Sequence, residues 1–139
     1  MAPPLTGLLE TCLYVDDMAR SRGFYRRLLG FEPMFCEERI TVFRLPDASV
    51  LILFARGETL EPVETPGGTI PPHDGSGPAH FALGLAEDAL DAWRAHLMAC
   101  GIAIESEVAW SNGRGHSLYF RDPDGHAGEL ATRGLWARS

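Results

Sequence analysis

The most unusual residue in the sequence is Glu129, a single carboxylate between Ala127 and Ala131 on a short predicted strand. Side chains alternate along a strand, so these three residues share one side while Leu130 points to the other. Glutamate is a poor strand former and resists burial. Because carboxylates bind cations and transfer protons, Glu129 is a candidate functional residue.

An internal repeat adds further candidates. Residues 43–57 align with residues 120–134 at an offset of 77 without gaps, and seven of the fifteen positions are identical. Such similarity predicts a fold made of two copies of one unit. Glu129 falls opposite Ile52, and His80 stands 70 residues after Glu10, at the same place in its strand. The first copy is apolar where the second is charged, which a purely structural repeat does not require.

Strand parity places Glu10 and His80 on equivalent faces. The residues that alternate with them are apolar and suited to packing under a helix, which sends both polar residues to the opposite, concave face. The helix-facing sets are Leu9, Leu13 and Val15 in the first copy and Phe81, Leu83 and Leu85 in the second.

Turn and cap signals complete two βαβββ modules, which predict an α+β fold. In the first, Asp16-Asp17 offers an N-cap and Gly30 a stop for a helix. In the second, Glu87-Asp88 opens a helix and Gly101 closes it, and Asp122-Pro123-Asp124-Gly125 is the turn of the last hairpin. The predicted strands are 8–15, 33–37, 40–45, 50–55, 79–85, 103–109, 116–121 and 127–132, and the first helix is 18–29.

We expect one domain over residues 1–139, with module one at about 8–57, a linker at about 58–78 and module two at about 79–134. Residues 56–78 hold five prolines and five glycines. That composition predicts a structureless connection, part of which covers a cleft.

Composition excludes several classes of partner. The net charge is −7, and no basic stripe is present, which argues against nucleic acid and anionic membranes. Neither a membrane-spanning apolar run nor a signal peptide is found, so we expect a cytoplasmic protein. The three cysteines, without a C-x-x-C pair, are expected to be reduced, with Cys12 and Cys100 buried.

Two local signatures resemble the vicinal oxygen chelate superfamily, which includes glyoxalase I, bleomycin-resistance proteins, extradiol dioxygenases and methylmalonyl-CoA epimerase. The first is Leu13-Tyr14-Val15-Asp16-Asp17 leading to Phe24-Tyr25 and Leu28-Leu29-Gly30. The second is Tyr119-Phe120-Arg121-Asp122-Pro123-Asp124-Gly125 leading to Glu129-Leu130. From Ser117 to His126 the sequence is particularly similar to fosfomycin-resistance transferases.

This resemblance implies two βαβββ modules whose curved mixed sheets surround a cleft holding a divalent metal. Glu10 occupies the first ligand position, which is usually His; His80 and Glu129 occupy the second and last. Ile52 occupies the position of a fourth ligand in glyoxalase I. Two carboxylates and one imidazole suit Zn²⁺, Ni²⁺, Mn²⁺ or Mg²⁺.

Two functions follow from the resemblance. One is a metal-dependent lyase, isomerase or transferase acting on a small oxygen-bearing substrate, with Glu10 or Glu129 moving a proton. The other is a metal-free protein that sequesters a small molecule or drug. A dioxygenase is less favoured, because non-haem Fe(II) oxygen chemistry normally uses two His and one carboxylate.

Four further residues are candidates for substrate binding. Tyr14, Ser117 and Tyr119 are expected to line the cleft and to hydrogen-bond the substrate. Arg114 lies in a predicted loop and is a candidate for clamping an anionic substrate. The alternatives are plain strand residues and a solvated loop arginine.

We predict a symmetric homodimer, because a small curved sheet leaves edges that a second copy can cover. The family resemblance adds that one cleft can be built from module one of one chain and module two of another. Light scattering at micromolar concentration should give twice the mass of the chain. A monomer would contradict the prediction.

Overall fold

The computed structural model describes residues 1–137, and it contains two successive βαβββ arrangements joined by a short hairpin. The first consists of β1 (Glu10–Val15), α1 (Met18–Leu29), β2 (Phe35–Cys36), β3 (Ile40–Arg44) and β4 (Val50–Ala55). The hairpin is β5 (Val63–Thr65) and β6 (Gly68–Ile70). The second consists of β7 (His80–Leu85), α2 (Leu90–Ala99), β8 (Ser106–Trp110), β9 (Gly115–Arg121) and β10 (Ala127–Thr132). The predicted α+β class and the two modules are confirmed.

The two four-stranded sheets have the same topology. Their strand orders are β1-β4-β3-β2 and β7-β10-β9-β8, and in each the first pair is parallel and the others antiparallel. Cys12 stands opposite Ile52 in the first sheet, and Ala82 stands opposite Glu129 in the second. The hairpin turns also match, since Ala48 and Gly125, 77 residues apart, have φ values of 69° and 81°. The internal alignment therefore describes real structural equivalence.

The predicted signals at both ends of α1 and at the end of α2 hold, whereas Glu87 and Asp88 lie in a 3-10 helix (Glu87–Ala89), and α2 follows it without a side-chain cap. The Asp17 carboxylate accepts a hydrogen bond from the Arg20 N–H at 3.1 Å, which caps the start of α1. Gly30 and Gly101, with φ values of 80° and 70°, follow the ends of α1 and α2. Within residues 1–137 neither helix is long and apolar enough to span a membrane.

The contacts divide the chain into two compact units, and α1 is shared between them. The first unit is Met1–Arg22 with Phe31–Ser76, and the second is Gly23–Gly30 with the chain from Gly77 onward. In the first unit the helix-facing side chains of β1, β3 and β4 are almost fully buried, namely Leu13, Val15, Phe43, Leu51 and Leu53. The Arg22 guanidinium donates to the Thr41 hydroxyl beneath it at 3.0 Å.

The core of the second unit is aromatic. Phe24 and Tyr25 from α1 lie 6.1 Å, between ring centroids, from Phe120 and Phe81 respectively. Gly128 leaves room for this cluster, since a Cβ atom there would lie 2.2 Å from Cζ of Phe120. The glycine next to Glu129 is therefore fixed by packing.

A buried carboxylate closes the β9–β10 turn. Asp122 is 5% exposed and accepts hydrogen bonds from the backbone N–H groups of Asp124 and His126 at 3.0 and 2.9 Å. Its other oxygen accepts from the Tyr25 hydroxyl and from Nδ1 of His126, both at 2.7 Å. A buried charge is stable only when it is hydrogen-bonded in this way, so Asp122 ties the turn to α1.

Several sequence-based expectations need correction. Strand β1 begins at Glu10 and β8 spans Ser106–Trp110, so the ends at 8 and 103 were wrong. The connection is not structureless, because Pro66-Gly67 turns the chain between β5 and β6 and Thr65 bonds the Gly68 carbonyl. Cys12 is exposed and Cys100 is half-buried, although both were expected to be buried. Cys12 lies on the face of β1 away from α1.

The Tyr25 hydroxyl makes stability sensitive to alkaline pH. Burial, and then the neighbouring Asp122 charge, raise the pKa of Tyr25 well above its usual value. In the unfolded chain a tyrosine loses its proton near pH ~10, whereas folded Tyr25 keeps it, so stability is full below that pH and falls as pH rises above it. Tyr25→Phe should lower the free energy of unfolding by about 1–2 kcal/mol at pH 7 and flatten the alkaline fall.

Urea unfolding between pH 7 and 11 measures both effects. Tyr14→Phe is the matched control, because the pKa of Tyr14 is also raised by burial, but less. An alkaline fall in Tyr25→Phe as steep as in the wild type would contradict the assignment.

Candidate functional site

Glu129 lies in the middle of β10 and is 5% exposed. Its cross-strand neighbours are Ala82 on β7 and Tyr119 on β9. Leu130 is fully buried on the helix-facing side. Strand parity therefore placed Glu129 correctly on the face away from the aromatic core.

A chain of hydrogen bonds orients the Glu129 carboxylate. The Ser117 hydroxyl, 1% exposed, donates to Oε2 of Glu129 at 2.5 Å. The indole N–H of Trp110 donates to the Ser117 oxygen at 2.8 Å. With its oxygen accepting from Trp110, the serine proton points at Glu129, so one carboxylate oxygen is held in a single orientation.

His80 faces the other oxygen of Glu129. Its Nδ1 lies 2.8 Å from the Ala127 carbonyl, and because a carbonyl only accepts, Nδ1 carries the proton. Its Nε2 lies 3.2 Å from Oε1 of Glu129. Without a second ring proton, two lone pairs would face each other there. A proton or a metal ion between the two atoms would remove this repulsion.

Tyr119 completes the polar group around Glu129. Burial, followed by the negative charge of Glu129 and a hydrogen bond to it, raises the pKa of Tyr119. The hydroxyl thus keeps its proton at neutral pH and is available as a donor. The rings of Tyr119 and His80 stack with 6.3 Å between centroids.

His80, Tyr119 and Glu129 line a cavity of about 440 Å³ in the second unit. Its polar wall also contains Thr132 and Arg133. Small and large apolar residues form the rest, namely Ala82, Leu83, Gly84, Trp110, Ala131, Leu135 and Trp136. A mostly apolar cavity with a few convergent polar groups is typical of a small-molecule site.

The predicted site residues of the first unit are Glu10 and Tyr14. Glu10 is exposed at the start of β1, opposite Val50. The Tyr14 hydroxyl bonds Nδ1 of His73 at 2.6 Å, and the Tyr14 ring stacks on Phe54. Among the side chains that the structure describes, no three His, Cys, Asp or Glu residues form a group able to hold a metal. The pair His80 and Glu129 is brought together, and the three-ligand site stays a prediction.

Two predicted substrate-binding residues differ in their surroundings from what we expected. Ser117 does not line the cavity and serves Glu129 instead. Arg114 is exposed after a short 3-10 helix (Ser111–Gly113) and is also absent from the cavity wall.

Sequence reasoning missed Trp110, Arg133 and Trp136. For Arg133 a signal existed, because it continues the alternation of Ala127, Glu129 and Ala131 by one step beyond β10. For Trp136 no signal existed, because it lies on the 3-10 helix Arg133–Trp136, whose path the strand pattern does not give. Trp110 ends β8, one residue beyond the predicted strand.

Comparisons with known proteins agree with this fold. The family model of the Glyoxalase/Bleomycin resistance protein/Dioxygenase superfamily matches residues 7–130. A lactoylglutathione lyase from Agrobacterium tumefaciens is 30% identical, with a TM-score of 0.86 over 98% of this chain and 100% of that one.

Two other solved structures are more distant. A glyoxalase/bleomycin resistance protein from Catenulispora acidiphila is 25% identical, with a TM-score of 0.66 over 90% of this chain and 96% of that one. The fosfomycin resistance protein FosX from Listeria monocytogenes is 19% identical and shares the fold, with a TM-score of 0.66 over 93% of this chain and 94% of that one. With its paired βαβββ units and a family match over most of its length, the chain belongs to the glyoxalase/bleomycin resistance protein/dioxygenase superfamily.

Proposed function

We propose that the protein is a divalent-metal-dependent enzyme of the lyase, isomerase or transferase type that acts on a small oxygen-bearing substrate. The observation that carries the proposal is the pairing of Nε2 of His80 with Oε1 of Glu129 at 3.2 Å, with Nδ1 of His80 bound to a backbone carbonyl. Metal-binding histidines are typically oriented in this way by a hydrogen bond from the second ring nitrogen.

The donor atoms fit a metal ion. Bonds of about 2.0–2.2 Å to one ion place two ligand atoms roughly 3.0–3.4 Å apart, which brackets the observed separation. Ser117 orients Glu129 as outer residues of metal sites do. Glu10 is the third donor of the proposal. Ile52, 6% exposed and apolar, offers no donor at the fourth position, which favours three protein ligands.

A bound divalent ion would polarise adjacent substrate oxygens and stabilise a developing enolate or oxyanion. Glu129 and Glu10 are the proposed catalytic residues, because either carboxylate, when displaced from the metal, could take and return a proton. Tyr119 keeps its proton and is placed to donate a hydrogen bond to a substrate oxygen near Glu129. Identity of 30% with a lactoylglutathione lyase over nearly the whole chain favours the lyase class.

The second candidate is a metal-free binding protein. The exposed Glu10, in place of the usual histidine, favours it, as does a cavity walled by Trp110 and Trp136. In that case His80 and Glu129 contact each other directly, and neither binds an ion.

Metal titration separates the two candidates. Calorimetric titration of the chelator-treated protein with Zn²⁺, Ni²⁺ or Mn²⁺ should give binding in the wild type and at least a hundredfold weaker binding in His80→Ala and Glu129→Ala, since each loses a ligand. Glu10→Ala should also weaken binding.

His116→Ala is the matched control, because His116 is an exposed histidine on β9 of the same sheet. Its metal affinity should equal that of the wild type. If the wild type bound no metal, or if all variants bound it with equal affinity, the metal site would be rejected and the metal-free binding protein would be the favoured function.

Ser117 is proposed as a positioning residue for Glu129. Ser117→Ala leaves one carboxylate oxygen without its donor, so metal affinity should fall by about tenfold, in line with other outer residues of metal sites. The measurement is the same titration, with thermal unfolding of the metal-free protein to exclude a general loss of structure.

Ser106→Ala provides the control, because Ser106 is exposed on the adjacent strand β8. Should Ser117→Ala bind metal as tightly as Ser106→Ala, Ser117 does not position the ligand.

A further inference from the structure

The internal repeat makes Arg133 the counterpart of Arg56, 77 residues earlier. Both arginines directly follow the last strand of their sheet, β10 in one case and β4 in the other. The same offsets relate the strands around them, so the surroundings of the two guanidinium groups can be compared position by position.

In the first unit Arg56 is neutralised by the chain itself. Its guanidinium forms an ion pair with the Asp16 carboxylate. It also donates to the carbonyls of Tyr14 and Gly75, at 3.2 and 3.1 Å. The Tyr14 ring lies against Gly75, where a Cβ atom would be 2.5 Å from Cδ2 of the tyrosine. The space beside Arg56 is therefore filled.

In the second unit the counter-ion and the filling ring are both missing. The equivalents of Asp16 and Tyr14, 70 residues later, are Ala86 and Gly84. Arg133 lies across Gly84, where a Cβ atom would be 3.0 Å from its Nη1 and 3.3 Å from its Cδ. Within residues 1–137 no carboxylate forms an ion pair with Arg133. An arginine that the fold places beside a carboxylate in one copy thus lacks one in the other.

The backbone that carries Arg133 is held in place. The Gly134 N–H, next in the chain, donates to the Glu87 carboxylate at 2.7 Å. Leu135 is 9% exposed and anchors the same short helix. Arg133 is also the one arginine in the cavity wall among the described residues. The positive charge is therefore presented to the cavity from a fixed segment.

We propose that the cavity binds an organic carboxylate, whose anionic group pairs with Arg133 as Asp16 pairs with Arg56. This inference rests on the proposed function, since it names the substrate class of the same site. Gly84 is two residues beyond Ala82, the neighbour of Glu129, which separates the two ends by roughly 7 Å along β7.

The space between the two ends suits an apolar body. Ala82 and Ala131 leave room above the sheet, and Trp110 and Trp136 offer aromatic surfaces at the side. The substrate thus carries its oxygens near His80 and Glu129 and, several bonds away, a carboxylate at Arg133.

Binding of 3-phenylpropanoate and of its neutral amide to the chelator-treated full chain tests this inference by calorimetry. The acid should bind the wild type more tightly than the amide. Arg133→Gln should weaken the acid by about tenfold, because a charge-assisted hydrogen bond is lost, and leave the amide unchanged. Ala86→Asp supplies the missing counter-ion and should also weaken the acid severalfold. Its position is exposed and precedes the 3-10 helix Glu87–Ala89, where aspartate is tolerated.

Arg94→Gln, on the exposed side of α2, controls for net charge and should bind the acid as the wild type does. Any of three results would overturn the inference: the acid and the amide bind equally, the acid does not bind, or Arg114→Gln rather than Arg133→Gln weakens its binding. Unchanged binding in Ala86→Asp would reject the comparison with Asp16.

Metal titration of Arg133→Gln is an independent measurement. This variant keeps His80 and Glu129, so it should bind metal as the wild type does. If the wild type bound no metal but Arg133→Gln still weakened binding of the acid, the proposed metal-dependent enzyme would be rejected and the carboxylate site would stand.

Discussion

The second unit depends on the Asp122 carboxylate, a charge held away from water by four hydrogen bonds. Two of them fix the backbone of the turn between β9 and β10, and therefore the register that sets Glu129 opposite Tyr119. A third, from Tyr25, brings in the helix that covers the aromatic core. Removing one partner of a buried charge is far more destabilising than losing an exposed contact. The turn motif thus has a structural role that the site depends on. A shift of the strand register by one residue would send Glu129 to the opposite face.

The two units show how one framework carries different chemistry. The helix-facing residues are apolar in both, since both must cover a helix. The opposite faces diverge at equivalent positions: Ile52 is replaced by Glu129, Tyr14 by Gly84, and Asp16 by Ala86. The first unit fills its face with a stacked ring and an internal ion pair. The second leaves a cavity with His80 and Glu129 at one end and an arginine at the other. Both sets of substitutions are local, so the sheets keep the same topology.

Much of this arrangement could be predicted from the sequence, because it follows from the alternation of side chains along strands, the repeat offset and the residues of the turns. Alternation along β7 and β10 placed His80 and Glu129 on one face, and the offset of 77 placed the hairpins. The contact between these two side chains, the role of Ser117 and the position of Arg133 depend on side-chain direction and on a short terminal helix, which neither period nor propensity specifies. The β5–β6 hairpin was missed because proline and glycine content was taken as absence of structure, although Pro66-Gly67 is itself a turn signal. Residue type does not distinguish Arg114 from Arg133. They differ in that Arg133 lines the cavity and Arg114 does not.

Helix α1 has a consequence for where the chain can be divided. By sequence it belongs to the first copy, but its residues from 23 onward belong to the second compact unit, where Tyr25 donates to Asp122 and Phe24 lies beside Phe120. A gene fragment that begins at residue 77 would encode every strand of the second sheet and still lack the donor and the rings that complete its core. A fragment cut there would leave the Asp122 carboxylate without its Tyr25 donor and Phe120 without its Phe24 neighbour. Division of the chain between its two sequence copies therefore does not divide it into two complete cores.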